Sequence, residues 1–291
     1  MVAIALGRAR PADYLELTKP RIVVLVMVTV AAGFYLGGVG AVTGLVLFHT
    51  LLATAMVAGG TNALNQVVER DVDARMHRTR GRPLPTGRLS FAEASLFAWA
   101  LGVGGIAYMA LFVNPVASAL AAATLVAYVF AYTPLKRRTS LATLVGAIPG
   151  ALPIAGGWAA ATGALPLEAW VLFAIVFLWQ LPHFLALAWV YRDDYARAGL
   201  KMLSVTDDGE STFRQAVLYA VAMLPVTLAP SVLGLAGPWY FFGALGLTVW
   251  LIATALSAAR NRSIPHARRL FMATVLWLPA VLALMVLDKT I

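Results

Sequence analysis

Apolar and polar positions fall in blocks along the chain. Nearly uncharged apolar stretches occupy 22–40, 42–64, 91–111, 115–133, 141–161, 167–190, 216–235, 239–258 and 270–287, and the charged residues lie almost entirely between them. Each stretch is close to the roughly 20 residues that a helix needs to cross a bilayer core. The pattern predicts an all-α, polytopic membrane bundle of nine transmembrane helices, forming a single domain over 1–291 with no room for a separate soluble one.

The Lys and Arg residues test this division. The lead-in carries Arg8, Arg10, Lys19 and Arg21; the gap after span 2 carries Arg70, Arg75, Arg78, Arg80, Arg82 and Arg88. Lys136, Arg137 and Arg138 follow span 4, Arg192, Arg197, Lys201 and Arg214 follow span 6, and Arg260, Arg262, Arg268 and Arg269 follow span 8. Only Lys289 of the 22 basic residues falls on the other side. Positive charge in short loops stays on the cytoplasmic side, so the N-terminus and the loops after even spans are expected to be cytoplasmic. The opposite connections, at 37–41, 112–114, 161–166 and 235–238, read as short Gly- or Pro-containing turns. The segment before residue 22 has neither an apolar h-region nor a cleavage signal, so no removable signal peptide is expected, and a bacterial plasma membrane is the expected location.

Composition agrees: 61% of residues are hydrophobic and only 12% charged, with a mean hydropathy of +0.82. The net charge of +9 sits in gaps between spans, where it sets orientation and meets lipid headgroups, and no nucleic-acid partner is expected. The absence of cysteine excludes disulfides, thiolate metal sites, iron–sulfur clusters and a cysteine nucleophile.

The gaps after spans 2 and 6 are long for plain connectors and hold the candidate chemistry. In the first, Asn65, Glu69 and Asp73 recur at i, i+4, i+8, placing them along one helical face with about 80° of drift. Like charges at that spacing repel unless a cation lies between them. A hard divalent ion accepts such oxygens, and Mg²⁺ binds through one or two carboxylates while substrate phosphates complete its shell. Arg75, Arg78, Arg80 and Arg82 behind them supply forks suited to phosphate oxygens. Asp71 points to the other face. The competing reading is a topology determinant whose acids balance its basic charge, against which stands the helical register of the acids.

In the second long gap, Asp193 and Asp194 lie beside Tyr191, Arg192, Tyr195, Arg197 and Lys201; they either complete a metal site on the same membrane face or form a helix-end ion cluster. Asp207, Asp208 and Glu210 read as a solvated turn. His183 in span 6 is an intramembrane ionisable residue, functional by default or else hydrogen-bonded to a neighbouring helix; His49 reads as structural. Lys136 and Arg137, after Tyr132, either snorkel to the interface or bind an anionic tail or propionate.

Five strings carry a resemblance: LTKPR at 17–21, NQVVERDVDARM at 65–76, YTPLKRRT at 132–139, PHF at 182–184 and YRDDYARAG at 191–199. In this order, on one face and among nine spans, they resemble the UbiA superfamily of intramembrane prenyltransferases, and within it the branch that farnesylates protoheme IX. The likeness runs from about Glu16 to Lys201. The superfamily's second motif usually carries two Asp four apart, whereas residue 198, four after Asp194, is Ala; the haem-type branch shows the same loss.

The resemblance implies transfer of the farnesyl group of farnesyl diphosphate to a vinyl group of haem B, giving haem O and diphosphate. It implies Mg²⁺ on Asn65, Glu69, Asp73 and Asp194, with Arg78, Arg80, Arg82 and Lys201 stabilising the departing diphosphate. Lys136, Arg137, Tyr132, Tyr191 and Asp193 are then expected around the substrates, with His183 contacting haem iron or orienting the acceptor. Membrane lipid surrounds the site, and haem A synthase or terminal oxidase assembly proteins are candidate onward partners. The alternatives are a sister prenyltransferase for an aromatic or quinone precursor and a lipid or ion carrier, the latter disfavoured because carriers place their charges at the bilayer midplane.

Overall fold

The computed structural model describes residues 10–38 and 43–290; Arg8 and the turn at 39–41, expected from the sequence, lie outside them. Among the described residues, nine helices are long and apolar enough to span a membrane. In order they are Pro20–Gly37, Gly44–Val68, Phe91–Phe112, Pro115–Leu135, Ala142–Thr162, Leu167–Val190, Glu210–Val232, Pro238–Asn261 and Ile264–Leu287, hereafter spans 1 to 9. No strand occurs among the described residues, only a single bridge between Ala236 and Lys289.

Local sequence sets the helix ends. Ser90 and Glu93 form a reciprocal capping box at span 3, and Asn114 accepts the Ala117 amide at 2.9 Å ahead of Pro115 at span 4, both satisfying donors that a helix start leaves orphaned. Asp207, read from the sequence as part of a solvated turn, accepts the Ser211 and Thr212 amides at 3.3 and 2.6 Å and so caps span 7. Prolines occur in the interiors of the long helices, at 149, 153, 182, 225, 230 and 279 among others, as membrane helices tolerate.

Without a hydrophobic force between helices in lipid, close approach depends on small residues. A Cβ on Gly33 of span 1 would stand 2.0 Å from the Ile154 carbonyl oxygen of span 5, and one on Gly157 of span 5 would stand 2.1 Å from the Val30 oxygen. Large apolar side chains such as Leu96, Leu111, Trp239 and Leu287 are exposed on the outer surface, where lipid covers them.

Contacts between gaps fix the two ends of the bundle. At one end, the gap after span 2 meets the lead-in through Arg88 with Asp13 and Glu16, and meets the gap after span 4 through Glu69 and Lys136. The gap after span 6 joins them through Asp194 to the amides of His77 and Arg78, and through Asp208 and Glu210 to Arg262 after span 8. At the other end, Asn114 donates to the carbonyls of Ala159 and Ala160, and Lys289 to those of Tyr35 and Gly38. All five basic gaps thus share one end, as the charge count requires.

A separate apolar cluster of Val72, Met76, Ala188, Ala198, Leu200 and Met202 fastens the two long gaps to the end of span 6. Burying each of the larger of these side chains contributes roughly 1.5–3 kcal/mol. That is enough to hold two charged loops in a defined arrangement over the helix ends.

Candidate active site

The loop-bearing end encloses a cavity of about 190 Å³. Asn65, Glu69 and Asp73 line it from the end of span 2, Tyr128, Tyr132 and Lys136 from the end of span 4, and Phe184 and Leu187 from span 6. Lys19, Arg78, Arg82, Tyr195 and Met202 complete much of the wall.

The i, i+4, i+8 register survives a break. Span 2 ends at Val68 and Glu69 leaves helical geometry at φ −95°, ψ 9° before the short turn Arg70–Asp73. The Glu69 amide nonetheless donates to the Asn65 carbonyl at 2.9 Å and the Asp73 amide to the Glu69 carbonyl at 2.8 Å. The three side chains therefore stay on one face, all buried. Asp71 turns outward to Arg70.

Each acid meets a cation. Lys136 lies 2.5 Å from Glu69, which also accepts from the Asn65 amide group at 2.9 Å. Arg82 donates to Asp73 Oδ2 at 2.7 Å, while Asp73 Oδ1 is buried with no hydrogen-bond partner. Lys19 donates to Asn65 Oδ1 at 3.1 Å. Burial opposes the charge on Lys136, but the adjacent Glu69 carboxylate outweighs it and holds the ammonium above the usual lysine value. For Lys19, burial and then the positive Arg82 and Lys136 push the ammonium down to about 7.

Two backbone features build this wall. Lys19 adopts the left-handed conformation at φ 53° directly before Pro20, a region that non-glycine residues rarely occupy. Span 4 contains a π-helical turn at Ala127–Tyr132, a distortion frequent at functional sites. Thr133 donates both its amide and its hydroxyl to the Tyr128 carbonyl, and the following Pro134 has no amide to give.

Other expected residues lie elsewhere. Asp194 is buried but does not line the cavity: its oxygens accept from the His77 amide at 3.3 Å and the Arg78 amide at 3.4 Å, and from the Arg197 side chain. Asp194 is not among the side chains lining the cavity with Glu69 and Asp73; its two oxygens face the loop amides of His77 and Arg78. Among the described residues no three His, Asp or Glu side chains cluster as a metal site. Arg80, Arg137, Asp193 and Lys201 are exposed, and Lys201 reaches the site only by donating its amide to the Lys136 carbonyl at 2.9 Å. Tyr191 lies under the Arg78 guanidinium, 5.0 Å from its ring centroid. His183 faces span 9 and bonds Thr274, while His49 bonds Tyr108 at 2.6 Å in a structural contact.

Lys19, Tyr128 and Tyr195 belong to the cavity and were not singled out by the sequence reading. Lys19 was legible as a basic residue on the charged face and as part of the LTKPR string, with no site role attached to it; its left-handed backbone lies directly before Pro20.

Taken together, oxygen donors and cationic side chains line a cavity at the loop-bearing end of an apolar membrane bundle. Residues 26–278 match the UbiA prenyltransferase family. The chain belongs to the UbiA prenyltransferase family, and it is an enzyme. It is 47% identical over 287 residues to protoheme IX farnesyltransferase of Solibacter usitatus (strain Ellin6076), a match covering 95% of this chain and 98% of that one. The fold is also similar to that of digeranylgeranylglyceryl phosphate synthase, with a TM-score of 0.81 and 16% identity over 95% of this chain and 97% of that one. A UbiA homologue from Archaeoglobus fulgidus bound to GPP and Mg²⁺ gives a TM-score of 0.66 and 17% identity over 94% and 99%.

Proposed function

We propose that the chain transfers the farnesyl group of farnesyl diphosphate to a vinyl group of haem B, giving haem O and diphosphate, at the cytoplasmic end of a bundle in a bacterial plasma membrane. The observation that carries the reading is the imbalance of charge in the cavity. Two carboxylates (Glu69 and Asp73) are paired with Lys136 and Arg82, and Arg78 and the partly protonated Lys19 stand beside them as further positive groups. The positive charge left unmatched, on Arg78 and on Lys19 when protonated, is placed to receive a multiply charged anion such as a diphosphate. The relatives' name supports the particular acceptor, and the positive-inside distribution supports the orientation.

The oxygens of Asn65, Glu69 and Asp73, including the unpartnered Oδ1 of Asp73, fit a hard divalent cation and would hold Mg²⁺. When bound, that ion supplies Lewis-acid neutralisation of the leaving group. Arg78 and Arg82 present bidentate forks to the diphosphate, while Lys19 and Lys136 add point charges that favour its departure. The allylic C–O bond breaks with its electron pair leaving on diphosphate; the vinyl π electrons then form the new C–C bond. Water captures the resulting cation and loses a proton, giving a hydroxyethylfarnesyl side chain. The apolar wall, including Phe184 and Leu187, delays that water until the C–C bond exists. Asp194 acts as a positioning residue, holding the amides of His77 and Arg78 and so aiming the Arg78 fork.

Membranes carrying the protein, incubated with haem B, farnesyl diphosphate and Mg²⁺ and read by mass analysis of the porphyrin, test this directly. The expected product gains one farnesyl group and one hydroxyl. Glu69→Gln and Asp73→Asn are each expected to reduce turnover by about 100-fold or more. An unchanged porphyrin, with prenylation of an aromatic or quinone precursor instead, overturns the acceptor assignment.

A further inference from the structure

Near its charged end span 2 carries the run TNALNQ at 61–66, in which three side-chain amides fall at i, i+3 and i+4. Asn62, Asn65 and Gln66 therefore share one helical face. Asn65 lines the cavity, whereas Asn62 and Gln66 do not. Both are nonetheless buried, and a buried polar group is destabilising unless it is hydrogen-bonded. Their partners are backbone carbonyls of the lead-in: Gln66 Nε2 donates to Leu17 at 2.7 Å and Asn62 Nδ2 to Thr18 at 3.1 Å.

Those carbonyls belong to a helix end that the backbone alone does not close. Pro11–Thr18 forms a short helix, and Lys19 follows it at φ 53°, ψ 64°. A helix that stops on a left-handed residue is ordinarily tied off by the amide of the residue after it. Here that residue is Pro20, which has none to give. The Lys19 amide reaches the Glu16 carbonyl at 3.2 Å, and the two side-chain amides of span 2 take the carbonyls of Leu17 and Thr18 in place of the missing donor. Packing holds the same segment. Leu17 belongs to one apolar cluster with Val57, Leu64 and Val67, a Cβ on Gly59 would stand 3.3 Å from the Thr18 Cβ, and Arg88 ties down Asp13 and Glu16.

The outcome is a lysine aimed into the cavity, with Lys19 Nζ donating to Asn65 Oδ1 at 3.1 Å. We propose that Asn62 and Gln66 are positioning residues for prenyl transfer: they hold the left-handed turn that points Lys19 at the diphosphate of the donor. This rests on the assignment of a prenyl diphosphate to the cavity. A left-handed backbone is unfavourable for any residue with a Cβ, so the turn persists only while its surroundings hold it. Without the two donors, the Leu17 and Thr18 carbonyls lose their partners, and Lys19 relaxes to negative φ, which swings its side chain off Asn65. Span 2 thus serves the site twice. Asn65 and Glu69 present oxygens to it, while Asn62 and Gln66 act on the segment that delivers a cation.

The test uses the full-length protein in detergent micelles with Mg²⁺. It measures KM for farnesyl diphosphate and for haem B, together with direct binding of the unreactive analogue farnesyl thiodiphosphate. Gln66→Met and Asn62→Leu roughly keep the side-chain volume and remove the donor. Each is expected to raise the farnesyl diphosphate KM and the thiodiphosphate Kd by about 10-fold, with the haem B KM unchanged, and Lys19→Met is expected to do the same. Because the amides act through one lysine, adding Gln66→Met to Lys19→Met should change these constants by less than about 2-fold. Full additivity in that double variant, or an equal rise for both substrates, marks a purely structural role and overturns the proposal. If Gln66→Met does not fold, Asn62→Leu in the same two backgrounds makes the same comparison. Weakened binding in Lys19→Met beside wild-type constants in both amide variants removes the positioning role alone. A wild type that does not bind farnesyl thiodiphosphate removes the diphosphate assignment as well.

Discussion

Replacing Lys136 with methionine separates two roles of Glu69, as the partner of a lysine and as a ligand for a divalent ion. The pair is close, at 2.5 Å, and both side chains are largely enclosed, with 12% of the Lys136 and 9% of the Glu69 side chain exposed. Breaking a buried pair by removing one partner costs about 3–5 kcal/mol, because an uncompensated charge is left behind. The Asn65 side chain still donates to Glu69, so the lower end applies, about 3 kcal/mol. On the scale of roughly 2–4 °C per kcal/mol, that is a fall of about 6–12 °C in the melting temperature of the detergent-solubilised protein. Glu69→Gln combined with Lys136→Met removes both charges and should recover most of the loss. If Glu69 accepts a divalent ion, Mg²⁺ should raise the melting temperature of Lys136→Met well above its effect on the wild type, where the ion has to displace an ammonium. Two results refute the reasoning: a single substitution costing less than about 1 kcal/mol, or equal Mg²⁺ responses in the two proteins.

Two further outcomes are expected. Burial opposes the charge on Asp194, but Arg197 and the amides of His77 and Arg78 outweigh it and hold the carboxyl below the usual aspartate range. A carboxylate whose folded pKa lies below its unfolded value near 3.9 contributes stability above that value and loses it as pH falls through the folded one. The melting-temperature advantage of wild type over Asp194→Asn should thus be flat above about pH 5 and shrink below about pH 4, and an advantage independent of pH contradicts this. At the span 1 and span 5 contact, Gly33→Ala places a Cβ 2.0 Å from the Ile154 oxygen and should cost about 3 kcal/mol. Gly156→Ala, with open space around its Cβ, should be neutral or stabilising in the same thermal melt; equal effects of the two substitutions argue against close backbone packing there.

Among the described residues, the nine spans, with limits that differ from the apolar windows by up to six residues (spans 7 and 9 start at Glu210 and Ile264 rather than 216 and 270), and the gathering of five basic gaps at one end were legible in the order of residues. Each follows from local physics: an apolar run of bilayer length must be helical to satisfy its backbone, and cationic loops stay on one side. The line of Asn65, Glu69 and Asp73 was legible for the same reason, since helical periodicity alone puts them on one face.

What tertiary structure decided is which groups from distant gaps meet. Lys136 pairs with Glu69 across 67 residues of sequence, and Arg78 is aimed through its amide by Asp194, neither of which any local period encodes. Asp194 reads from the sequence equally as a metal ligand or as part of a helix-end ion cluster; that its oxygens meet the amides of His77 and Arg78, more than 100 residues away, is visible only in the folded chain. Lys19 enters the cavity because a left-handed turn before Pro20 and the packing of span 1 carry it there. Sequence by itself fixed how many times the chain crosses and which end is charged, because those depend on transfer of each segment between water and lipid. Side-chain convergence at that end depends on how helices pack against one another, and that is a property of the whole bundle.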